Sequence, residues 1–587
     1  MSEAVSTSSR GFEQLIELGI ALSAEHDHDR LTERILLEAV DLTNADGGTL
    51  YLGGDGGTLS FQIVRNATLN IAMGGTTGVP IPFPPLQMYN PETGEANYNN
   101  VATAAALTGD AINIEDAYEA EGYDFSGTKK FDEGTGYRSK SFLTIPLKNY
   151  SEEVIGVLQL INAQDDEKEN VIPFAKSVQR LVEALASQAA VAIDNQQLIE
   201  AQKALMDSLI KVMAHAIDAK SPYTGGHCQR VPELTKMLAQ KCSDSNEGSF
   251  KDFALNEKQW YELHVAAWLH DIGKVTTPEY VVDKATKLQT IFDRVHEVRM
   301  RFEVLRRDAE IKMLKAVAKG ADEKAEKKKF KARCKELEEQ WEFISETNLG
   351  GEFLPQEKQD RVKKIAPQKW YRNFDRTLGL SWTDALLIEK QPPPPKGWEQ
   401  LLADLPEHSE AEYDLGEIRN LCISRGTLND DERNKINDHI VLTIEMLEEM
   451  PFPKTLGQVS EYAGGHHEKM DGTGYPKGLT ADQMSIPARI MAIADIFEAL
   501  TAGDRPYKKA KTLSEAVKIL WFMKKDKHVD AELFELFLTS GAYRDYAEQF
   551  LRPDQIDDVD ISKYVETQQA AEKAQLACRT YVSAPSP

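Results

Sequence analysis

Two adjacent histidines followed by a Gly-Tyr-Pro turn constrain this chain more than any other stretch. Residues 466–476 read HHEKMDGTGYP, which is too polar for a core segment and is typical of the edge of a metal site. Upstream, His270 and Asp271 directly follow the apolar run 265–269. Downstream, Asp495 is the one carboxylate in an otherwise apolar, helix-like run. Together these three pieces predict a metal-dependent hydrolase.

Length and composition place this site in a multidomain cytoplasmic protein. The chain has 587 residues, whereas a domain usually has roughly 100–200. No stretch approaches the ~18–20 apolar residues of a membrane span, and no secretory signal is visible, so we expect no membrane insertion. The five cysteines are scattered and form no CxxC pair, which fits a reducing compartment. The formal charge of -26 repels nucleic acid, so we expect no nucleic-acid partner.

The first part of the chain has the pattern of an α/β sensory module. Residues 1–10 are Ser-rich and predicted to be disordered. Apolar spacing predicts helices over 11–24 and 31–43. Alternating apolar residues bounded by glycine-rich turns predict a hairpin and then further strands, over 48–52, 59–64, 111–114, 141–147 and 154–162.

Three segments in this part resemble a GAF domain, over residues 11–173. They read NIEDAY at 113–118, TGYRSKS at 135–141 and GVLQLIN at 156–162, and are closest to the subtype in cyclic-nucleotide phosphodiesterases and cyclases. The resemblance implies a central antiparallel sheet with helices. Asn162 and Phe174 match that subtype, but its following lysine and acidic pair are missing. We therefore expect either a cyclic nucleotide or another small ligand here, with a ligand-free dimerisation scaffold as the alternative.

A long helix is predicted to follow, because residues 174–217 contain neither proline nor glycine. We interpret 174–204 as a connector between domains. Apolar positions at 3–4 spacing favour a parallel coiled coil, and hence a homodimer. The proposed seam consists of residues 178, 182, 185, 189, 192, 196, 199, 203, 206 and 210. The alternative is a helix that packs on the sheet of its own domain.

The C-terminal half resembles the HD-GYP subgroup of HD-domain phosphohydrolases. Four signatures occur in order: YTGGH ending at His227, HDIGK at 270–274, the 466–476 stretch and RPY at 505–507. The resemblance covers about 205–288 and 413–565. It implies an all-α domain over 205–565, interrupted by a helical insertion at 289–412 and followed by a tail at 566–587.

The same resemblance implies two metal ions. Imidazoles with a few carboxylates suit Fe, Mn, Zn or Co better than Ca or Mg. We expect two divalent transition-metal ions, Fe or Mn first, with Zn, Co or Ni as alternatives. By family match, His227, His270, Asp271 and Asp495 hold one metal, and His439, His466 and His467 hold the other together with Asp271 as the bridge. Tyr223 replaces the glutamate with which some members hold a third metal.

Cationic and aromatic side chains are expected to bind substrate in this acidic chain. Lys274 lies three residues after Asp271 and is assigned a catalytic and phosphate-binding role. Arg505 and Lys508 are candidates for the second phosphate and a guanine edge, with solvated surface as the alternative. The turn at 474–476 is expected to place Tyr475 against substrate. Glu468 and Asp471 are expected to orient the ligating imidazoles.

By resemblance, the substrate is cyclic di-GMP, hydrolysed to pGpG, GMP or both under control of the GAF domain. The residues alone support only a phosphodiester or phosphomonoester hydrolase. One alternative is a phosphodiesterase for another cyclic nucleotide or dinucleotide, such as cyclic GMP-AMP. The other is a non-catalytic signalling or adaptor protein, but degenerate members lose ligands and none of the seven is missing here.

Overall fold

The computed structural model describes residues 17–565, apart from a few single positions and short segments. The residues in this range that the structure does not describe are 18, 23, 26, 55, 166, 221–225, 247, 352, 383–384, 386–393, 405–415 and 504–509. The predicted disordered start at 1–10 and the tail at 566–587 also lie outside the described residues. The chain divides into two compact units, up to residue 206 and from residue 207 onward.

The first unit is an antiparallel sheet with helices against it. Its helices are α1 (His28–Thr43), α2 (Val101–Thr108) and α3 (Ser126–Thr135). Its strands are β1 (Ala45–Gly54), β2 (Thr58–Asn66), β3 (Ile71–Gly74), β4 (Leu86–Gln87), β5 (Ile112–Ile114), β6 (Phe142–Lys148), β7 (Val154–Gln164) and β8 (Val171–Ile172). The strand order in the sheet is β3-β2-β1-β7-β6-β5; in addition, β4 pairs with β2 and β8 pairs with β7. The predicted hairpin and the three later strands are confirmed.

One helix, α4 (Lys176–Lys220), carries the chain from the first unit into the second. Its first turns are buried in the core of the first unit through Val182, Leu185 and Ala189, because these side chains cover the sheet next to α1. Its last turns bury Ile210 in the second unit. The first half of the helix therefore packs on the sheet of its own domain, which was the alternative interpretation, and positions 182, 185 and 189 are not available to pair with a second copy.

A different row of apolar residues remains exposed on α4. It consists of Val191, Leu198, Leu205 and Val212, each 47–65% exposed and each seven residues from the next. Seven-residue spacing keeps side chains on one face of a slightly supercoiled helix.

The second unit is built of helices from both sides of the insertion. Before it come α5 (His227–Ser243), α6 (Glu257–Leu269) and α7 (Glu279–Val282). After the insertion's own elements come α12 (Asp430–Glu449), α13 (Val459–Gly464), α14 (Ile486–Thr501), α15 (Leu513–Lys525), α16 (Ala531–Thr539) and α17 (Ala542–Phe550). In the part of the chain that is described, no helix combines the length and apolar character needed to cross a membrane.

The insertion has a hydrophobic core of its own. It contains α8 (Val295–Ala318), α9 (Glu323–Asn348), α10 (Gln356–Ile365), β9 (Lys369–Arg372) and β10 (Gly397–Gln400). The short helix α11 (Glu417–Leu421), which follows the insertion, packs on the same core. The predicted break at Gly320 is confirmed: this residue has φ +96 between α8 and α9, a conformation that glycine adopts without strain. The sequence did not predict the two-stranded ribbon β9-β10; of the four prolines between its strands, Pro392 and Pro393 lie outside the described residues.

Two buried lysines fix the root of the insertion. The Lys284 ammonium lies 2.7 Å from the Glu432 carboxylate at the start of α12. Lys287 donates to the carbonyls of Leu421 and Ile423 at 3.0 and 2.8 Å, and burial lowers its pKa to about 8. The insertion therefore leaves and rejoins the second unit at points that are tied together by hydrogen bonds.

Candidate metal centre

The backbone around His270 and Asp271 is held against the helix that carries His439. The α-helix ends at Leu269, and a 3-10 turn over Ile272–Thr276 follows. A Cβ on Gly273 would lie 1.9 Å from the His439 carbonyl oxygen, so only glycine permits this approach. The Gly273 N–H donates to the Thr443 hydroxyl at 2.9 Å. This contact brings Asp271 and α12 together.

The first predicted ligand group converges at this turn. One ligand atom from each of His227, His270, Asp271 and Asp495 lies within 4.8 Å of the others. His227 Nε2 is 3.3 Å from both Asp271 Oδ2 and Asp495 Oδ1, and His270 Nε2 is 3.2 Å from Asp271 Oδ2. Nitrogen and oxygen ligands about 2.0–2.2 Å from one metal ion are separated by such distances.

The second predicted group lies on the other side of Asp271. His439, His466 and His467 also offer ligand atoms within 4.8 Å of one another. His439 Nε2 is 3.3 Å from Asp271 Oδ1, whereas His227 and His270 face Oδ2. The two oxygens of one carboxylate thus face two different sets of imidazoles, which is the arrangement of a ligand shared by two metal ions.

Backbone carbonyls orient three of the imidazoles. The Nδ1 atoms of His270, His439 and His466 each pair with the carbonyl of the residue three positions earlier, at 2.8 Å for His270 and 2.5 Å for His466. A carbonyl only accepts, so Nδ1 carries the proton and Nε2 keeps its lone pair. All three Nε2 atoms, together with His227 Nε2 and Asp271 Oδ1, are buried without a hydrogen-bond partner. Buried polar atoms normally have a partner, so these donors fit a metal ion.

The ionisation states of the histidines and of Asp271 also fit the binding of a metal ion. Burial lowers the pKa of His466 to about 4 and holds the pKa of His467 well below its usual value, so both rings are neutral ligands at neutral pH. Burial would raise the pKa of Asp271, but Lys274, His270 and His227 outweigh it and keep the pKa well below the ordinary range. The shared carboxylate is therefore ionised.

Sequence reasoning missed Glu498. It lies one helical turn after Asp495 on α14, is 1% exposed, and its carboxylate pairs with His227 Nδ1. Its other oxygen accepts from Arg230 Nε at 2.7 Å. Glu498 thus orients His227 in the way that backbone carbonyls orient the other histidines. The i, i+3 spacing from Asp495 was the available signal.

Glu468 and Asp471 do not contact the imidazoles, contrary to expectation. Glu468 is 1% exposed and accepts the backbone N–H groups of Lys477, Gly478 and Leu479 at 2.7–3.1 Å. Asp471 accepts from Thr473 within its own turn. A buried carboxylate that accepts three N–H groups fixes the backbone of the turn after Tyr475. These two acidic residues therefore shape the loop.

Of the four predicted substrate-binding residues, the structure describes Lys274 and Tyr475. Lys274 pairs with Asp271, and burial would lower its pKa, but Asp271 and Asp495 outweigh burial and raise it. The Tyr475 ring stacks on His467 with centroids 4.9 Å apart and planes 16° apart, and burial raises its pKa to about 12, so its hydroxyl stays protonated. Arg505 and Lys508 lie outside the described residues, as does Tyr223.

Family comparisons match both units of the chain. A GAF domain family model matches residues 27–193, and an HD domain family model matches residues 397–533. The HD match includes His439, His466, His467 and Asp495 but not the ligands that precede the insertion. His227, His270 and Asp271 lie outside the matched residues.

Similar proteins match short parts of the chain. The 3'3'-cGAMP-specific phosphodiesterase 3 of Vibrio cholerae is 37% identical over 127 residues, which are 21% of this chain and 26% of that protein. The cyclic di-GMP phosphodiesterase response regulator RpfG of Xanthomonas campestris is 35% identical over 112 residues, 19% of this chain and 29% of that protein. The chain thus spans less than a third of either relative. A solved GAF domain from an Acinetobacter phosphoenolpyruvate-protein phosphotransferase aligns with 32% of this chain and 97% of its own, at 14% identity and TM-score 0.24.

Replacement of Glu498 by glutamine should weaken metal binding at the first group. Glutamine keeps the size of the side chain but removes the charge that holds His227, and loss of such a partner typically costs about 10–100-fold in metal affinity. Cobalt titration against a chromophoric chelator measures this affinity for each variant. Glu417→Gln is the control, because Glu417 is equally buried and arginine-paired but lies in the insertion core. If Glu498→Gln binds cobalt as tightly as the parent, Glu498 does not orient His227 for metal binding.

Proposed function

We propose that this chain, which contains a GAF domain and an HD domain, is a metal-dependent phosphodiesterase for cyclic dinucleotides, regulated by its GAF domain. The observation that carries the proposal is the position of the Asp271 carboxylate between two groups of buried imidazoles. Cyclic di-GMP is the proposed substrate, with pGpG, GMP or both as products. The HD domain and the names of the similar proteins support this class of substrate.

The donor set supports two divalent transition-metal ions. His227, His270, Asp271 and Asp495 would hold one, and His439, His466 and His467 the other with Asp271 shared. Fe or Mn is proposed first, and Zn, Co or Ni would also suit imidazole and carboxylate ligands. Two such ions, when bound, lower the pKa of water and neutralise phosphate charge.

The chain's own residues would position the substrate. Lys274 is held beside Asp271 by its ion pair, where its ammonium would meet a phosphate oxygen and stabilise the negative charge that develops there. Tyr475 presents a protonated hydroxyl and a ring fixed against His467, so it would contact a base or ribose. Arg505 and Lys508 remain proposed contacts for the second phosphate and a guanine edge.

Cyclic GMP-AMP is a second candidate substrate, because three similar proteins of Vibrio cholerae are named for it. A non-catalytic adaptor is disfavoured, because all seven predicted ligands are present and the donor atoms within each group lie within 4.8 Å of one another.

Asp271→Asn should abolish hydrolysis of a panel of cyclic di-GMP, cyclic GMP-AMP and cyclic mononucleotides. An amide cannot bridge two cations as a carboxylate does, so we expect a loss of kcat of roughly a thousandfold or more. Chromatography measures the products, metal analysis gives the stoichiometry, and circular dichroism checks the fold. The control is Asp558→Ala, since Asp558 is fully exposed. Equal turnover in parent and Asp271→Asn protein would refute the assignment, and a parent that hydrolyses none of the panel would favour an adaptor.

A homodimer formed through α4 is proposed from the exposed row Val191, Leu198, Leu205 and Val212. An apolar residue at every seventh position suits a parallel pair of identical helices, because each side chain meets its copy at the same height. The second copy would cover side chains that otherwise face water.

The double variant Leu198→Glu, Leu205→Glu should convert a dimer into a monomer. Four glutamates would face one another in the paired helices, and like charges there are unfavourable. Sedimentation velocity at micromolar concentration measures the mass. The control is Lys203→Glu, which changes the charge by as much as the double variant but lies at an exposed position on roughly the opposite side of the helix from the row. A parent that sediments as a monomer, or a double variant that stays dimeric, would contradict this interface.

Regulation is proposed to act through the end of α4. Lys220, the last residue of this helix, donates to the backbone carbonyls of Lys274 (at 3.3 Å) and Val275. Ile217 packs with Trp268 and Ile272, on either side of His270 and Asp271. A shift of α4 would therefore move the backbone that carries the shared carboxylate and Lys274.

Lys220→Met should lower turnover without removing the metals. Methionine keeps the aliphatic part of the side chain but no longer donates to the 3-10 turn, so we expect kcat to fall by about tenfold as Lys274 loses its fixed position. Turnover and metal content are measured on the same samples. Lys203→Met, at an exposed position of α4, should match the parent. Parent-like kcat in Lys220→Met would show that this contact does not govern the site.

A further inference from the structure

The first unit contains a cavity that the phosphodiesterase reaction does not use. Its volume is about 510 Å³, within the roughly 300–1,000 Å³ of small-molecule sites. It lies on the face of the sheet formed by β1, β2 and β7, and residues of α3 and of the 83–86 segment close its sides. The cavity belongs to the GAF domain alone, and its ligand is independent of the proposed phosphodiesterase activity.

Aromatic rings dominate the walls of this cavity. Five phenylalanines line it: Phe61, Phe83, Phe125, Phe131 and Phe142. They occur partly as ring pairs, with centroids 5.5 Å apart for Phe61 and Phe83 and for Phe125 and Phe142. Phe83 and Phe131 are each 41% exposed, so they present apolar surface that a flat ligand would cover.

A hydrogen-bonding amide lies on the floor of the cavity. Gln159 is 9% exposed, and its oxygen accepts from the Tyr51 hydroxyl at 3.2 Å. Its nitrogen donates to the Thr144 hydroxyl at 3.1 Å. An amide nitrogen carries two hydrogens, so one donor is left for an acceptor atom of a ligand.

The charges of the cavity disfavour an anion. Among the described residues that line it, only Arg65 and Asp124 are charged. The Arg65 guanidinium pairs with Glu33 and donates to the carbonyls of Val64 and Met73, so its charge is already balanced.

Asp124 is an exposed lining residue, and its carboxylate takes up a backbone donor at the start of α3 that a phosphate could otherwise use. Its carboxylate accepts the Ser126 N–H at 2.8 Å at the start of α3, and hydrogen bonds from Ser126 keep its pKa below the ordinary value. An incoming anion would meet a like charge there. The nearby cations Arg138 and Lys129 lie over the ring of Tyr118 instead of lining the cavity.

We propose that this cavity binds a planar, aromatic ligand of two or three fused rings that carries a hydrogen-bond acceptor and no phosphate. The ring system stacks among the phenylalanines, its acceptor meets the Gln159 amide, and Asp124 rejects the phosphorylated form of the same compound. Of the two ligand classes expected from the sequence, the cavity thus favours an uncharged small molecule over a cyclic nucleotide.

Two matched ligand pairs test the proposal on the full chain. Riboflavin is compared with flavin mononucleotide, and guanosine with cyclic GMP, by equilibrium dialysis in the presence of a chelator that keeps the metal centre empty. In at least one pair, the phosphate-free compound should bind at least about tenfold more tightly than its phosphate form. Binding of none of the four, or tighter binding of the phosphate forms, would overturn the proposal.

Three variants assign the binding to this cavity. Thr128→Trp places a large ring among the lining residues and should abolish binding, whereas Lys130→Trp, exposed on the same helix and outside the lining, should not. Asp124→Asn keeps an acceptor for the Ser126 N–H. It should lower the ratio of the affinities for the phosphate-free and the phosphate compound by about fivefold. Parent-like binding by Thr128→Trp would place the ligand elsewhere, and parent-like discrimination by Asp124→Asn would reject Asp124 as the excluding group.

Discussion

The structure of the second unit depends on one buried carboxylate that faces imidazoles on both of its edges. Asp271 is 1% exposed, and a charge taken out of water to this extent is tolerated only when partners surround it. Lys274, His227 and His270 lie against one oxygen and His439 against the other. Elements that are distant in sequence are therefore held in one place by the need to compensate this charge.

Four of the five histidines around Asp271 are oriented in two different ways. Three of them use a backbone carbonyl three residues earlier, so the helix or turn that supplies the ring also sets its tautomer. His227 stands at the N-terminus of α5, where backbone donors and not acceptors are available. A side-chain acceptor is therefore required, and Glu498 supplies it while Arg230 balances its charge. Both devices leave Nε2 directed at the same small volume, which is the property a metal centre requires.

The insertion and the long helix attach to this centre in different ways. The insertion has a separate core and is tied at its root by Lys284 and Lys287, so its elements can be added without displacing the ligands on either side of it. The helix α4, in contrast, ends directly on the 3-10 turn beside Asp271 through Lys220. A movement of α4, and not of the insertion, would therefore displace the backbone next to Asp271.

The sequence by itself determined the local elements and the chemistry of the site. Alternation and glycine-rich turns predicted the strands, the lack of proline and glycine predicted α4, and Gly320 marked the break in the insertion. Motifs that resemble a known family pointed to the seven candidate ligands. Only the tertiary structure decided that Glu498 orients His227, that Glu468 holds a backbone turn and not an imidazole, and which face of α4 remains exposed. The physical reason is that periodicity and motifs report on neighbours within a few residues. The partner of a buried polar group, and the side of a helix that is covered, depend on the packing of segments hundreds of residues apart.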